Sequence, residues 1–134
     1  MTALVRTWPA WVCCTAMLLA PAPYARSENL MELATLAREA RLAADYKGWL
    51  EHGQRVVQLA PDHPDLLISL ARALAANGRF DRAEPLLDDA VRRGAGFDLS
   101  TFPEFKSAPE DAGLSAVRER SLLNMICPDW QYPH

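Results

Sequence analysis

Between Leu33 and Val91 the apolar residues recur three and four positions apart, the spacing that lines one face of an α-helix. Sliding the chain by 34 residues lays Leu33 on Leu67, Leu36 on Leu70, Ala37 on Ala71 and Ala40 on Leu74. The same shift lays Tyr46 on Phe80, Trp49 on Ala83, Gly53 on Leu87, Val56 on Ala90 and Pro61 on Ala95. A period of this length marks a stacked repeat, and each unit reads as two helices joined by a tight turn. Helices are predicted near 28–43, 46–59, 64–77 and 81–93. The punctuation agrees. Asp62-His63-Pro64-Asp65 supplies a capping residue and a first-turn proline. Asn77-Gly78 closes the third helix, because glycine accepts the left-handed conformation that ends helices. Asp81 and Glu84 form a capping-box-like start to the fourth, with Pro85 in its first turn, and Gly94-Ala-Gly96 ends it.

The run Leu67-x-x-Leu70-Ala71-x-x-Leu74, then Gly78-Arg-Phe80-Asp-Arg-Ala83, then Leu87 and Ala90, resembles a tetratricopeptide repeat. The resemblance covers about residues 30–97, as two units, 30–63 and 64–97. It implies an all-α superhelix of two helix-turn-helix repeats with a C-terminal helical cap. Short side chains at Ala71, Ala83 and Ala90 let paired helices approach closely while larger neighbours fill the grooves. The first unit departs from the pattern: Trp49 stands where a small residue is usual, and Gly53 where a bulky one is. Four apart on one helical face, they suggest that the indole occupies the space left at Gly53. Pro61 ends the first unit as the family pattern does. Stacked units usually need at least about three to bury a continuous core, so another segment must cover the second pair.

That role falls to residues 98–125. Phe97, Leu99, Phe102 and Phe105 are apolar anchors on a proline-marked stretch, and Pro109 starts a last predicted helix, 110–125, carrying Leu114, Val117, Leu122 and Met125. Gly96-Phe97-Asp98 is also similar to the junction between secreted bacterial repeat regions and gluconolactonase-like propellers, over about 20 residues. Residues 126–134 have no periodicity and read as a loose tail.

The N-terminus changes the picture of where the protein works. After Arg6 come 19 uncharged residues, ending Pro21-Ala-Pro-Tyr-Ala25 before Arg26. A basic start, a short apolar run and small residues make a secretory signal peptide, 1–25, with cleavage after Ala25. The alternative is a membrane anchor, but Pro9, Pro21 and Pro23 interrupt a run already shorter than the roughly 20 residues a span requires. The protein is therefore expected in the periplasm or secreted, meeting a membrane only through an uncleaved signal segment. Cys13 and Cys14 leave with that segment, so Cys127 remains as a lone thiol, unable to form an internal disulfide.

A net charge of -3 over 134 residues argues against a nucleic-acid partner, which calls for a clustered basic surface. No phosphate loop, nucleophile elbow or His-Glu-x-x-His pair occurs, so neither a catalytic residue nor a cofactor is expected. The histidines are His52, His63 and His134. Asp62, His63 and Asp65 could be drawn as a metal cluster, but one imidazole is poor for a site that usually recruits several ligands. They read instead as a cap and first-turn acids, and Asp88-Asp89 as a solvated helix face.

One binding determinant stands out. Arg38 and Arg72 occupy equivalent places on the first helix of each unit, and Arg41 lies one turn from Arg38. First helices line the inner groove in the family that the repeats resemble, so these residues point to a carboxylate or acidic peptide held bidentately. The ordinary alternative is a solvent-facing arginine, in a chain where 12 of 14 basic residues are arginine. The expected function is an exported scaffold, not an enzyme, that binds a peptide or helix of another protein in its groove. Two other readings stand beside it. One is the truncated front end of a secreted gluconolactonase-like enzyme. The other is a homo-oligomer in which a second copy covers the open edge of the repeats.

Overall fold

The computed structural model describes residues 23–127, with side chains from residue 29. The segment predicted as a signal peptide, but for its last three residues, and the predicted tail from 128 on lie outside the described residues. Five helices follow one another: α1 Pro23–Leu42, α2 Tyr46–Leu59, α3 Pro64–Ala76, α4 Phe80–Arg92 and α5 Leu114–Ile126. Two single 3-10 turns, Leu99–Thr101 and Pro103–Phe105, bridge α4 and α5, and there is no strand among the described residues. No helix among them is long and apolar enough to cross a membrane.

The 34-residue period is written most plainly in how helices stop. Gly78, at φ +72°, closes α3 with its own N–H on the Ala75 carbonyl and the Arg79 N–H on Leu74. Gly94, at φ +90°, closes α4 in the same way, through Val91 and Ala90. This paired closure satisfies carbonyls that the helix leaves orphaned. The end of α1 repeats it through Arg41 and Ala40, but the residue in the left-handed conformation is Ala44, at φ +56°. Ala44 is 34 residues before Gly78, so the first unit carries an alanine where the second has a glycine. A β-carbon in that region costs about 1–2 kcal/mol. Ala44→Gly is therefore expected to raise stability by about 1 kcal/mol, less the extra freedom glycine gives the unfolded chain. A urea melt in which the variant's midpoint does not rise would contradict this.

Helix starts differ from the sequence reading at α1, which begins at Pro23 and not near 28, and at α4. α4 begins at Phe80, ahead of the proposed capping box, with Arg79 as its flanking residue and no side-chain cap. Asp81 is thus a first-turn acid favoured by the helix dipole, and Pro85 lies inside the helix. The earlier start turns Phe80 inward, its ring 6.4 Å from that of Phe105. At α3, Pro64 takes the first position as expected, but no side chain caps it. Asp62 instead accepts from Arg93 at 2.9 Å, joining the turn between the units to the end of α4. Of α2, α3 and α4, α2 alone has a side-chain cap, Asp45 accepting from the Gly48 N–H.

The helices pack in sequence, α1 on α2, α2 on α3, α3 on α4 and α4 on α5. Ala71, Ala83 and Ala90 are inaccessible, as close helix approach demands, and Leu33, Ala37, Leu67, Leu70, Leu74 and Leu87 are buried around them. Leu36 breaks ranks: it is 37% exposed, whereas Leu70, its partner one unit on, packs into the core beside Gly53. α1 has no earlier helix pair against it among the described residues, so its Leu36 face is an open edge. Pro61 is exposed on the turn between the units.

The cap joins the main core through Phe97, Leu99, Phe105, Leu114 and Val117. α5 starts four residues later than predicted. Pro109–Ala112 closes as a turn, and Gly113 at φ +71° cannot continue into a right-handed helix. Its inner face is not the predicted one either. Leu122 and Met125 are exposed, and the buried positions after Val117 are Ser121 and Asn124. Gly96 makes this docking possible: a β-carbon there would stand 2.8 Å from Met125 Cγ and 3.0 Å from its backbone nitrogen. Asp98 then caps the first 3-10 turn. The Ser100 hydroxyl and N–H, both donating to the Asp98 carboxylate, hold it below the usual carboxylate range.

Candidate functional site

The three arginines singled out from the sequence occupy two different settings. Arg72, on α3, is already neutralised. Its Nε donates to Glu104 at 3.2 Å and its Nη2 at 3.0 Å, the bidentate geometry natural to a guanidinium and a carboxylate. Both side chains are largely buried, 19% and 12% exposed, so water weakens the pair little. The guanidinium is also stacked, 4.5 Å from the centre of the Phe102 ring and 5.8 Å from that of Trp49. Glu104 belongs to the cap, and nothing in the sequence marked it, because the pair spans 32 residues with no periodic relation.

Arg38 and Arg41 sit differently. Together they line a cavity of about 200 Å³ formed where α1, α2 and α3 meet. Arg41 is half-buried, 5.9 Å from the Trp49 ring centre, and Arg38 is exposed. The remaining wall is apolar or small: Ala34, Ala37, Trp49, Gly53, Val56 and Leu66, with Ser69 as its hydroxyl. No acidic side chain lines it, and neither arginine is in an ion pair among the described residues.

The cavity corrects the expectation about Trp49 and Gly53. Trp49 is buried, 1% exposed, but its room comes from alanines, Ala37 and Ala40 on α1 and Ala73 and Ala76 on α3. The only group within 4 Å of where a β-carbon would stand on Gly53 is Leu70 Cδ1, at 3.5 Å. The indole does not fill the space at Gly53. That space opens into the cavity instead.

Asp62, Asp88 and Asp89 have structural partners, whereas His52 Nδ1 is buried without a hydrogen bond. Asp88 and Asp89 are not a solvated face: Asp88 meets Arg120 of α5 at 2.6 Å and Arg92 at 3.3 Å, and Asp89 meets Arg93 at 3.2 Å. Held between Asp62 and Asp89, the Arg93 guanidinium is driven further toward its charged form. His63 lies 4.0 Å from Asp65, both well exposed, and no group of three His, Cys, Asp or Glu able to hold a metal occurs among the described residues. Cys127 is exposed at the end of α5.

A family model for the tetratricopeptide repeat matches residues 33–99. The chain belongs to the tetratricopeptide repeat family. The matched span runs from the first buried leucine of α1 to Leu99 at the start of the cap, so it takes in the second half of α1 and all of α2, α3 and α4. No curated protein and no solved structure gives a significant match. Tetratricopeptide repeats serve as protein–protein interaction modules and are typically non-catalytic scaffolds, which supports an interaction module as the general class for this helical stack.

Proposed function

We propose that this tetratricopeptide protein is an exported scaffold that holds a peptide or helix of a partner protein along the inner face of α1 and α3. The observation that carries the reading is the contrast between the two repeats. Arg72 has its carboxylate within the chain, whereas Arg38 and Arg41 flank an apolar cavity with none. A cationic rim on a half-open apolar site selects an acidic, partly apolar partner, since like-charged and fully polar segments gain nothing there.

Charge reversal at Arg38 and Arg41 is the direct test. Reversing Arg72 would be a poor one, because a glutamate there would face Glu104 at close range and damage the cap. Arg38→Glu/Arg41→Glu is expected to keep the fold and to melt only slightly below wild type, Arg38 being exposed and Arg41 half-buried against Trp49. A partner retained from an envelope extract by wild type is expected to bind the variant at least tenfold more weakly. Equal retention by a folded variant would remove the groove from the interaction. Export rests on the segment from Arg6 to Ala25, and mass spectrometry of the protein from the envelope fraction should give a chain starting at Arg26.

A further inference from the structure

The two repeats differ at one further pair of equivalent positions. Leu87 on α4 is inaccessible in the core of the second repeat, and Gly53 holds the same place on α2 of the first. The cavity beside Arg38 and Arg41 therefore lies where the first repeat lacks the isobutyl group its partner unit supplies. In the second repeat the chain provides both an aliphatic side chain at Leu87 and a glutamate carboxylate on Arg72. At the first repeat it provides neither.

We infer that the bound partner supplies both: a glutamate side chain on Arg38 and Arg41, and beside it a branched aliphatic side chain, leucine-like, in the cavity under Gly53. This rests on the groove reading above and names the chemistry the groove selects. Size agrees. A leucine side chain fits within about 200 Å³ with room to spare, and the wall facing it is Trp49, Val56, Leu66 and Ala37. Charge agrees as well, since two guanidinium groups stand at the rim with no acid lining the site. The Arg72–Glu104 pair shows the form such a contact takes on this scaffold, a side-chain carboxylate gripped through two nitrogens. The neighbouring aromatic ring, Trp49, holds Arg41 over its face, which leaves less freedom for the guanidinium to lose on binding.

The probe is the dipeptide acetyl-Leu-Glu-amide, titrated into the ¹⁵N-labelled protein while the Trp49 indole N–H signal is followed. Saturable movement of that signal is expected. Acetyl-Leu-Gln-amide, without the charge, and acetyl-Ala-Glu-amide, without the branched chain, are each expected to bind at least tenfold more weakly. Gly53→Leu, which fills the cavity from within, is expected to weaken the Leu-Glu dipeptide at least tenfold while melting no lower than wild type. Should that variant fail to fold, Ala34→Leu closes the cavity from the α1 side and carries the same expectation. Binding to either folded, filled variant at wild-type strength would overturn the inference, as would equal binding of the glutamine dipeptide. Loss of partner capture in Arg38→Glu/Arg41→Glu, together with an inert dipeptide, would overturn this inference alone and leave the groove in place.

Discussion

Trp49→Ala is expected to cost about 3–5 kcal/mol, the range for removing a buried large aromatic side chain. The indole is 1% exposed and forms its own small cluster with Ala37 and Ala73, edged by Ala40, Leu50 and Ala76. Four alanines surround it, and alanine has no side chain to swing into the hole, so the cavity would persist instead of collapsing. Two guanidinium groups also lose their aromatic face, Arg41 at 5.9 Å and Arg72 at 5.8 Å. A fold of this size has roughly 5–15 kcal/mol of stability in all, so the loss is a large share of it. A drop in Tm of roughly 10–20 °C is the expected reading in a thermal melt. Trp49→Phe, which keeps a ring against the same alanines, should lose clearly less. A Trp49→Ala protein that melts with wild type would mean the indole is not a packing element, and that the first repeat is held chiefly by its leucines.

Much of this architecture could be read in the sequence because repetition writes each position twice. α2 and α3 fall within a residue of their predicted limits, since their ends are fixed by local chemistry: Asp45 at a start, Asn77-Gly78 at a stop. Where the second copy of a position differs from the first, spacing alone does not fix the consequence. Trp49 and Gly53 were both recognised as departures, yet joining them was wrong, because helical spacing tells which face two residues share and not which neighbours fill the space between. The alanines that receive the indole lie on α1 and α3, and only the packed structure brings them together.

The same limit governs the binding face. The 34-residue period pairs Arg38 with Arg72, and Arg41 lies one turn from Arg38; Arg41 and Arg72 flank the Trp49 ring, and Arg38 lines the neighbouring cavity with Arg41. What separates them is Glu104, from a segment outside the repeat with no period to place it. An ion pair across 32 residues leaves no local trace, so two chemically identical residues came out with different parts. α5 taught a related lesson. Its apolar residues suggested an inner face through Leu122 and Met125, but Leu114, Val117, Ser121 and Asn124 are spaced three, four and three apart, and that is the buried stripe. Polar residues at core spacing are a readable signal when the neighbouring element ends in carbonyls that need donors.

Those two polar residues set the second large effect. Ser121→Ala/Asn124→Ala is expected to cost about 3–4 kcal/mol, in a helix that offers little apolar burial to offset it. Asn124 Nδ2 donates to the Val91 carbonyl at 2.9 Å and to that of Ala95 at 3.0 Å, meeting the end of α4 where carbonyls lack helical partners. Ser121 Oγ accepts from the Phe97 N–H at 2.9 Å and donates to the Phe97 carbonyl, all within the buried interface. Truncating both leaves the buried Phe97 N–H and carbonyl and the part-buried Ala95 carbonyl without their partners, and a buried orphan costs about 1–3 kcal/mol. α5 should respond first, because its outer face is exposed at Leu123, Met125 and Ile126, and its hold on α4 beyond these bonds is Leu114, Val117 and the Arg120–Asp88 pair. Amide hydrogen exchange is therefore expected to accelerate across Leu114–Ile126 well before α1, α2 and α3, whereas Leu122→Ala, on the outer side, changes little. Exchange in α5 that stayed at the wild-type rate in the double variant would show that apolar contact alone seats the cap. The stability of the second repeat's open end would then belong to Phe97, Leu99 and Phe105 and not to the helix that follows them.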